Sequence, residues 1–473
     1  MNPEDFRRFG HRLVDLVADY RAGIEARPVA SSASPGSIRA QLPMDPPEEP
    51  EDFERVLADL ERLVVPNLTH WQHPRFFGYF PSNGELAAVL GDCASTGLGV
   101  LGLAWASSPP LTEIEEVTTD WLRRMSGLSE AWSGVIQDTA STSTLVALLC
   151  AREQASGFSL ARGGLQGEDK ALVVYTSEHA HSSVDKAVLM AGFGRANCRK
   201  IPVDPDYALR ADALESAIRA DRAAGRVPCA IVATTGTTTT TALDPVDACA
   251  RIAREHHLWL HVDAAMAGSA MILPECRSLW PGVEGADSIV VNPHKWLGAS
   301  FDCSVYFVRD PEQLVRVMST SPSYLQTAAD GQVRNYRDWG IPLGRRFRAL
   351  KLWFLIREQG LSGLRKRLRR DLANARWLAE EVRREPDWRV LAPVPLQTVC
   401  VRHEPPGLAG DALDGHTLRW VDAVNRSGVA YLTPAILDGR WMARVSIGAL
   451  PTEREHVAQA WAAMRAATAH STA

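Results

Sequence analysis

Phe6, Phe9, Leu13, Leu16, Val17 and Tyr20 recur at three- and four-residue spacing, which predicts an amphipathic N-terminal helix. A stretch rich in proline and serine follows (31–36, then 43–50) and predicts extended loop. A second helix is predicted over 53–64. From about residue 84 to 360 short β-rich apolar runs alternate with helical stretches. The runs 172–175, 230–233, 258–262, 288–291 and 305–308 predict strands, and 211–224 and 245–255 predict helices between them. That alternation predicts βαβ units and a mostly parallel sheet, whose functional groups gather at the carboxyl ends of the strands. After Gly360 a charged helix carrying Leu364, Leu368, Leu372, Trp377 and Leu378 precedes strand-like runs at 397–401 and 442–447. The expected organisation is a helical N-terminal segment (1–84), a large α/β domain (85–360) and a small α+β C-terminal domain (361–473). The first two helices have little core of their own and are expected to pack on something else, such as a partner subunit.

Composition narrows the class. The 473 residues are 46% hydrophobic and 23% charged, with a formal net charge of −5, so there is no basic footprint for nucleic acid. The run Arg365-Lys366-Arg367-Leu368-Arg369-Arg370 is followed by acidic residues and reads as a solvated helix face. Eight scattered cysteines without a CxxC pair argue against a zinc site or a disulfide framework and fit a reducing compartment. The acidic N-terminus has no apolar signal region, and no apolar run approaches the roughly 20 residues of a membrane span. A soluble cytoplasmic enzyme is expected, with no membrane or nucleic-acid partner.

The candidate chemistry centres on Asn292-Pro293-His294-Lys295-Trp296, at the end of a predicted buried strand. A lysine there is costly to keep charged, so its amine becomes a usable nucleophile, suited to a Schiff base with a carbonyl such as that of pyridoxal phosphate. A surface lysine beside a helix cap is the plainer alternative. His261-Val262-Asp263-Ala264-Ala265 ends a second apolar run in an acid that could bind metal, cap a helix or pair with a buried cation. Beside a Schiff-base lysine it would keep a pyridine nitrogen protonated, and the small Ala265 would let a flat ring lie close. Glu178-His179-Ala180-His181 supplies an imidazole able to stack on the exposed ring face, with a metal site as the weaker reading. Two hydroxyl-rich turns, around Thr139, Ala140 and Ser141 and around Thr237, suit either a phosphate cradle or ordinary helix capping.

In this order and spacing the residues resemble the aromatic-L-amino-acid decarboxylases, group II of the pyridoxal-phosphate-dependent decarboxylases. The likeness spans nearly the whole chain and includes His70-Trp71-Gln72-His73-Pro74, Phe77-Gly78-Tyr79-Phe80-Pro81, Trp105-Ala106-Ser107-Ser108-Pro109, Thr112-Glu113 and Ile341-Pro342-Leu343-Gly344-Arg345-Arg346-Phe347-Arg348. It implies an α/β fold of type I with a seven-stranded sheet. It also implies that Lys295 carries pyridoxal 5'-phosphate, that Asp263 holds the ring nitrogen and that His181 stacks on the ring. Thr139, Ala140, Ser141 and Asn292 would hold the phosphate, with Thr237, Ala265 and His294 beside the cofactor. Trp71, Tyr79, Phe80, Pro81, Ser82 and Gly344 match substrate-side positions, and Leu101 and Leu103 match positions lent by a partner subunit, which implies a homodimer. Tyr324 matches a loop tyrosine that protonates the α-carbon, on a lid-like stretch over 321–335. No metal is implied. Asp138, Met266 and Leu103 depart from the usual glycine and two aromatic residues, and Asp138 is expected to weaken cofactor binding.

The implied reaction is decarboxylation of an aromatic L-amino acid (tryptophan, 5-hydroxytryptophan, DOPA, tyrosine or phenylalanine), with Gly344 tilting the choice slightly towards an indole. Two alternatives stand beside it. Some relatives are aldehyde synthases that couple decarboxylation to oxidative deamination, but Tyr324 and His181 favour the amine. Decarboxylation of an acidic amino acid such as glutamate would need a cation for the side chain, and the expected pocket is apolar and aromatic.

Overall fold

Seven strands form the larger sheet in the order β1-β7-β6-β5-β4-β2-β3. They are β1 (Ser133–Gln137), β2 (Leu172–Ser177), β3 (Cys198–Ile201), β4 (Val227–Thr234), β5 (Trp259–Asp263), β6 (Ser288–Val291) and β7 (Ser304–Val308). Neighbours from β3 through β2, β4 and β5 to β6 pair in parallel, while β7 runs antiparallel to both β6 and β1. Every residue of β2, β5, β6 and β7 is buried, because helices cover both faces; this is why these strands read as unbroken apolar runs. The computed structural model describes residues 1–320 and 329–470.

The strand register sets the functional edge. Thr234 lies opposite Asp263, Asp263 opposite Val290, Val291 opposite Val305, and Gln137 opposite Ser304. Since β7 is antiparallel to both of its neighbours, β1 runs the same way as β6. The carboxyl ends of β1, β4, β5 and β6 therefore open on one edge, which also receives the start of the helix Ala140–Ala155.

Two compact units make up the chain: one holds 82–379 and 390–400, the other 1–81, 380–389 and 401–473. The first contains the seven-stranded sheet. In the second, the helix Pro3–Ala22 starts where the Asn2 side chain accepts the N–H groups of Glu4 and Asp5, with Pro3 in the first turn. The chain also forms a four-stranded sheet of order β10-β11-β9-β8, with β8 (Trp388–Val390), β9 (Thr398–His403), β10 (Thr433–Leu437) and β11 (Arg440–Ser446); Val390 and 398–400 are counted with the first unit and the rest with the second.

All five predicted strands of the large sheet form, and so do the two helices predicted between them, as Ala211–Ala223 and Val246–His256. β1, β3, β8 and β10 were not predicted. The helix expected after Gly360 starts at Ala349 and runs to Arg384, broken at Gly360, whose φ of +60° needs no Cβ to be relieved. Among the described residues no helix is long and apolar enough to cross a membrane.

Candidate active site

Lys295 sits in the turn Pro293–Leu297, directly after β6, and leaves the helical path at its own residue (φ −97°, ψ −105°). Burial pulls the pKa of its amine down, with Asp263 opposing the shift. Asp263 ends β5, is 5% exposed, and its Oδ1 accepts the Ala265 N–H at 3.1 Å. His181 caps the helix Ser182–Met190, where its Nδ1 accepts the Ser183 N–H at 3.1 Å. That bond places the proton of the neutral ring on Nε2. Burial holds this imidazole below its usual range; Asp263 opposes the shift, while Lys295 and Lys186 add to it. Three residues widely separated in sequence thus lie within electrostatic reach of one another.

The surrounding groups assemble at the same edge. Thr139 is the N-cap of the helix Ala140–Ala155; Ala140 is buried and Ser141 is open to solvent. Ala140 packs with Ala265 and Val290, which joins this helix start to the ends of β5 and β6. Asn292 is fixed by its Oδ1, which accepts the Ser304 hydroxyl at 2.7 Å. His294 Nδ1 accepts the Cys303 N–H at 2.9 Å, and burial, then Lys295, pushes its pKa down to about 3, so the ring is neutral. The Thr237 hydroxyl works within its own turn, accepting the Ala242 N–H at 3.1 Å.

The edge has the attributes that a pyridine aldehyde phosphate requires. It offers a desolvated amine, a buried carboxylate, a small residue beside that carboxylate, and the start of a 16-residue helix for the phosphate. Among the described residues no group of three or more His, Cys, Asp or Glu converges as a metal site.

The chain matches the pyridoxal-dependent decarboxylase conserved domain over residues 35–404. It belongs to the pyridoxal-dependent decarboxylase family. Its cofactor is accordingly pyridoxal phosphate. It is 40% identical to the phenylacetaldehyde synthase of Arabidopsis thaliana, over 98% of this chain and 95% of that protein. It is also 40% identical to the aromatic-L-amino-acid decarboxylase of Sus scrofa, over 98% and 96%. Among solved structures, the Oryza sativa TDC with PLP and tryptamine superposes with a TM-score of 0.96 at 36% identity, over 99% of both chains.

The remaining predicted residues of this family member lie on other segments. Gly344 and Leu101 meet each other at the bridge between Gly102 and Arg345: a Cβ on Gly344 would come within 3.2 Å of Leu101 Cδ1. Leu103 and Ser82 are half-buried in the same unit. Trp71, Tyr79, Phe80 and Pro81 belong to the other unit, where Trp71 and Tyr79 stack at 5.3 Å and the Arg444 guanidinium lies 5.0 Å over Phe80. Tyr324 lies outside the described residues.

The basic run at 365–370 is not wholly a solvated face. Arg367 is buried, and its guanidinium bonds the carbonyls of Trp296 and Leu297 at 2.8 and 2.6 Å, directly after Lys295. Its leucine neighbours at 364 and 368 sit three and one positions away on the packed side of the helix, a periodic signal that the charge count concealed. Asp244 also carries no local signature. It is buried, accepts the N–H groups of Thr234 and Leu209 at 2.7 and 2.8 Å, and burial pushes its carboxyl up to about 7.

Proposed function

We propose that this chain converts an aromatic L-amino acid to the corresponding amine and carbon dioxide. The observation that carries the reading is the buried Lys295 amine within electrostatic reach of Asp263 and His181 in a chain of the pyridoxal-dependent decarboxylase family. When bound, pyridoxal phosphate supplies an electron sink for the bond to the carboxylate. Lys295 would hold the cofactor and later release product, Asp263 would keep a proton on the ring nitrogen, and His181 would cover the ring face. Thr139, Ala140, Ser141, Asn292, His294 and Thr237 would seat the phosphate and its surroundings. The α-carbon exchanges carbon dioxide for a proton, which Tyr324 would deliver with His181 as relay. Trp71, Tyr79, Phe80, Pro81, Ser82 and Gly344 would be substrate-side residues, and Leu101 and Leu103, lent to a partner's site, would supply an apolar surface suited to a flat ring.

A homodimer is part of this reading. Leu86, Leu90, Leu98 and Leu101 leave apolar surface exposed on and after the helix Leu86–Gly97, which a second copy would cover. The activity is tested by incubation with a panel of aromatic amino acids and scoring of each amine by mass. Lys295→Ala should abolish turnover while sparing the fold, and retained turnover would sink the assignment.

The identity to a phenylacetaldehyde synthase supports a second reading, in which oxygen and water are consumed and aldehyde, carbon dioxide, ammonia and hydrogen peroxide form together. Quantifying amine against aldehyde and peroxide in one reaction separates the two.

A further inference from the structure

The turn Pro293–Leu297 has a non-helical residue at its centre, so the carbonyls that follow have no regular next turn to receive them. They are received from a distant helix instead. The Arg367 guanidinium donates to Trp296 O at 2.8 Å and to Leu297 O at 2.6 Å. One helical turn further on, Asp371 Oδ2 accepts the Trp296 indole N–H at 2.9 Å. Arg367 and Asp371 themselves stand 4.0 Å apart, Arg370 closes on the other carboxylate oxygen at 3.3 Å, and Glu85 lies 3.9 Å from Arg367.

This arrangement is an expensive way to fill space. Arg367 is 8% exposed, and Trp296 and Asp371 are fully buried. Burial pushes the Asp371 carboxyl up to about 6 against the pull of Arg367 and Arg370, and it draws Arg367 below its usual range. A buried ion pair of this kind is commonly matched or exceeded in stability by apolar side chains of similar volume. Its distinguishing effect is geometric: a planar fork fixes two successive peptide carbonyls, and a carboxylate fixes the indole ring of the first of those residues. Those peptides are the immediate successors of Lys295.

We propose that Arg367 and Asp371 are positioning residues for the Lys295 amine. By holding Trp296 and Leu297, they fix the turn that carries the lysine after β6 and keep its amine within reach of Asp263 and His181. The inference rests on Lys295 as the residue that captures the cofactor aldehyde.

The test compares two ligands by fluorescence titration of the full-length protein. Pyridoxal 5'-phosphate has a carbonyl with which the amine condenses, releasing water; pyridoxamine 5'-phosphate has none, yet fills the same phosphate and ring contacts. Arg367→Met is expected to weaken binding of the aldehyde about tenfold while the amine ligand stays within about twofold of the wild type, the scale of a slightly misplaced reacting group. Asp371→Leu should act in the same direction, and Asp371→Asn, which keeps an oxygen for the indole N–H, should recover most of the loss. Equal affinities in wild type and variant, or a parallel loss for both ligands, would overturn the proposal. Should Arg367→Met fail to fold, Arg367→Lys, which keeps the cation but not the fork, is read by the same two ligands. A wild-type protein that binds the aldehyde no better than Lys295→Ala does would instead remove the cofactor reading beneath it.

Discussion

Ser304 donates its hydroxyl to Asn292 Oδ1 at 2.7 Å, a bond that runs from the start of β7 to the residue that follows β6. Both residues are buried, and Ser304 Oγ also lies 3.4 Å from Ser143 Oγ in the first turn of the helix Ala140–Ala155. One hydroxyl thereby ties three segments of the proposed phosphate cradle. Ser304→Ala should weaken cofactor binding by about 1 kcal/mol, roughly fivefold, the usual worth of a buried neutral hydrogen bond. Equilibrium titration with pyridoxal phosphate checks this, and an unchanged affinity would show that Asn292 is held without it.

Asp138 precedes the N-cap of that helix, and its Oδ1 accepts the Thr139 N–H at 2.6 Å. Its negative charge sits at the positive end of the helix dipole, where a phosphate would also bind. Asp138→Gly is expected to tighten binding of inorganic phosphate and of the cofactor by about 0.5–1 kcal/mol, two- to fivefold. A weaker affinity in the variant would mean that Asp138 serves the cradle through its neighbour Arg348, whose guanidinium it helps to keep charged.

Asp263 is the largest charge partner of Lys295 and the first to oppose the burial of His181. Asp263→Ala should lower turnover at least about 100-fold with the fold intact, since both groups lose the charge that organises them. The variant should also take up cofactor more weakly. Circular dichroism and steady-state rates on the same preparation give the answer.

Gly344 faces Leu101 with no side chain of its own, and an added Cβ would stand 3.2 Å from Leu101 Cδ1. Gly344→Ser should displace that leucine and shift kcat/KM from tryptophan towards tyrosine by about tenfold, the range that one added group commands in an apolar pocket. The ratio of the two specificity constants is the measurement, and an unmoved ratio would place side-chain selection elsewhere.

His261 is fully buried between Ser288, at 2.9 Å from its Nδ1, and Thr144, at 3.4 Å from Nε2. Burial lowers its pKa to about 4, with Asp263 opposing. The unfolded chain protonates this ring first as pH falls, so its share of stability is intact above the unfolded pKa of about 6.5 and drains away towards about 4. Asp287 and Asp371, each raised to about 6 by burial, work in the opposite sense, so the whole-protein curve mixes signs. The unfolding free energy of wild type minus that of His261→Gln should be flat above about pH 7 and fall by ~1.4 kcal/mol per unit below about 6.5. Urea titrations across that range decide it; a pH-independent difference refutes the assignment.

Local pattern revealed those parts of the fold that are locally determined. The parallel strands announce themselves because burial on both faces demands unbroken apolar runs, and Asp263 and Lys295 stand out because each ends one. β1 escaped notice because Ser133-Gly134-Val135-Ile136-Gln137 is short and begins with small residues. Arg367 and Asp371 were hidden for a different reason. Their partners, Trp296 and Leu297, lie some 70 residues earlier, and a charged residue shows nothing in sequence of the carbonyl it will meet. Asp244 is similar: its role lies in two backbone N–H groups 10 and 35 residues away.

The pairing of Gln137 with Ser304 has a kinetic consequence. The hydroxyl-rich helix start is made early in synthesis, but β7, which seats β1 in the sheet, is among the last strands of the unit to leave the ribosome. Contacts of such long sequence separation close late, because loop entropy must be met before they return any stabilisation. On the proposed phosphate cradle, one half would wait for the other, and cofactor uptake would report that β7 had joined β6 and β1. A chain stopped before β7 would carry Lys295, Asp263 and the capping hydroxyls and should hold the cofactor less tightly than the whole chain.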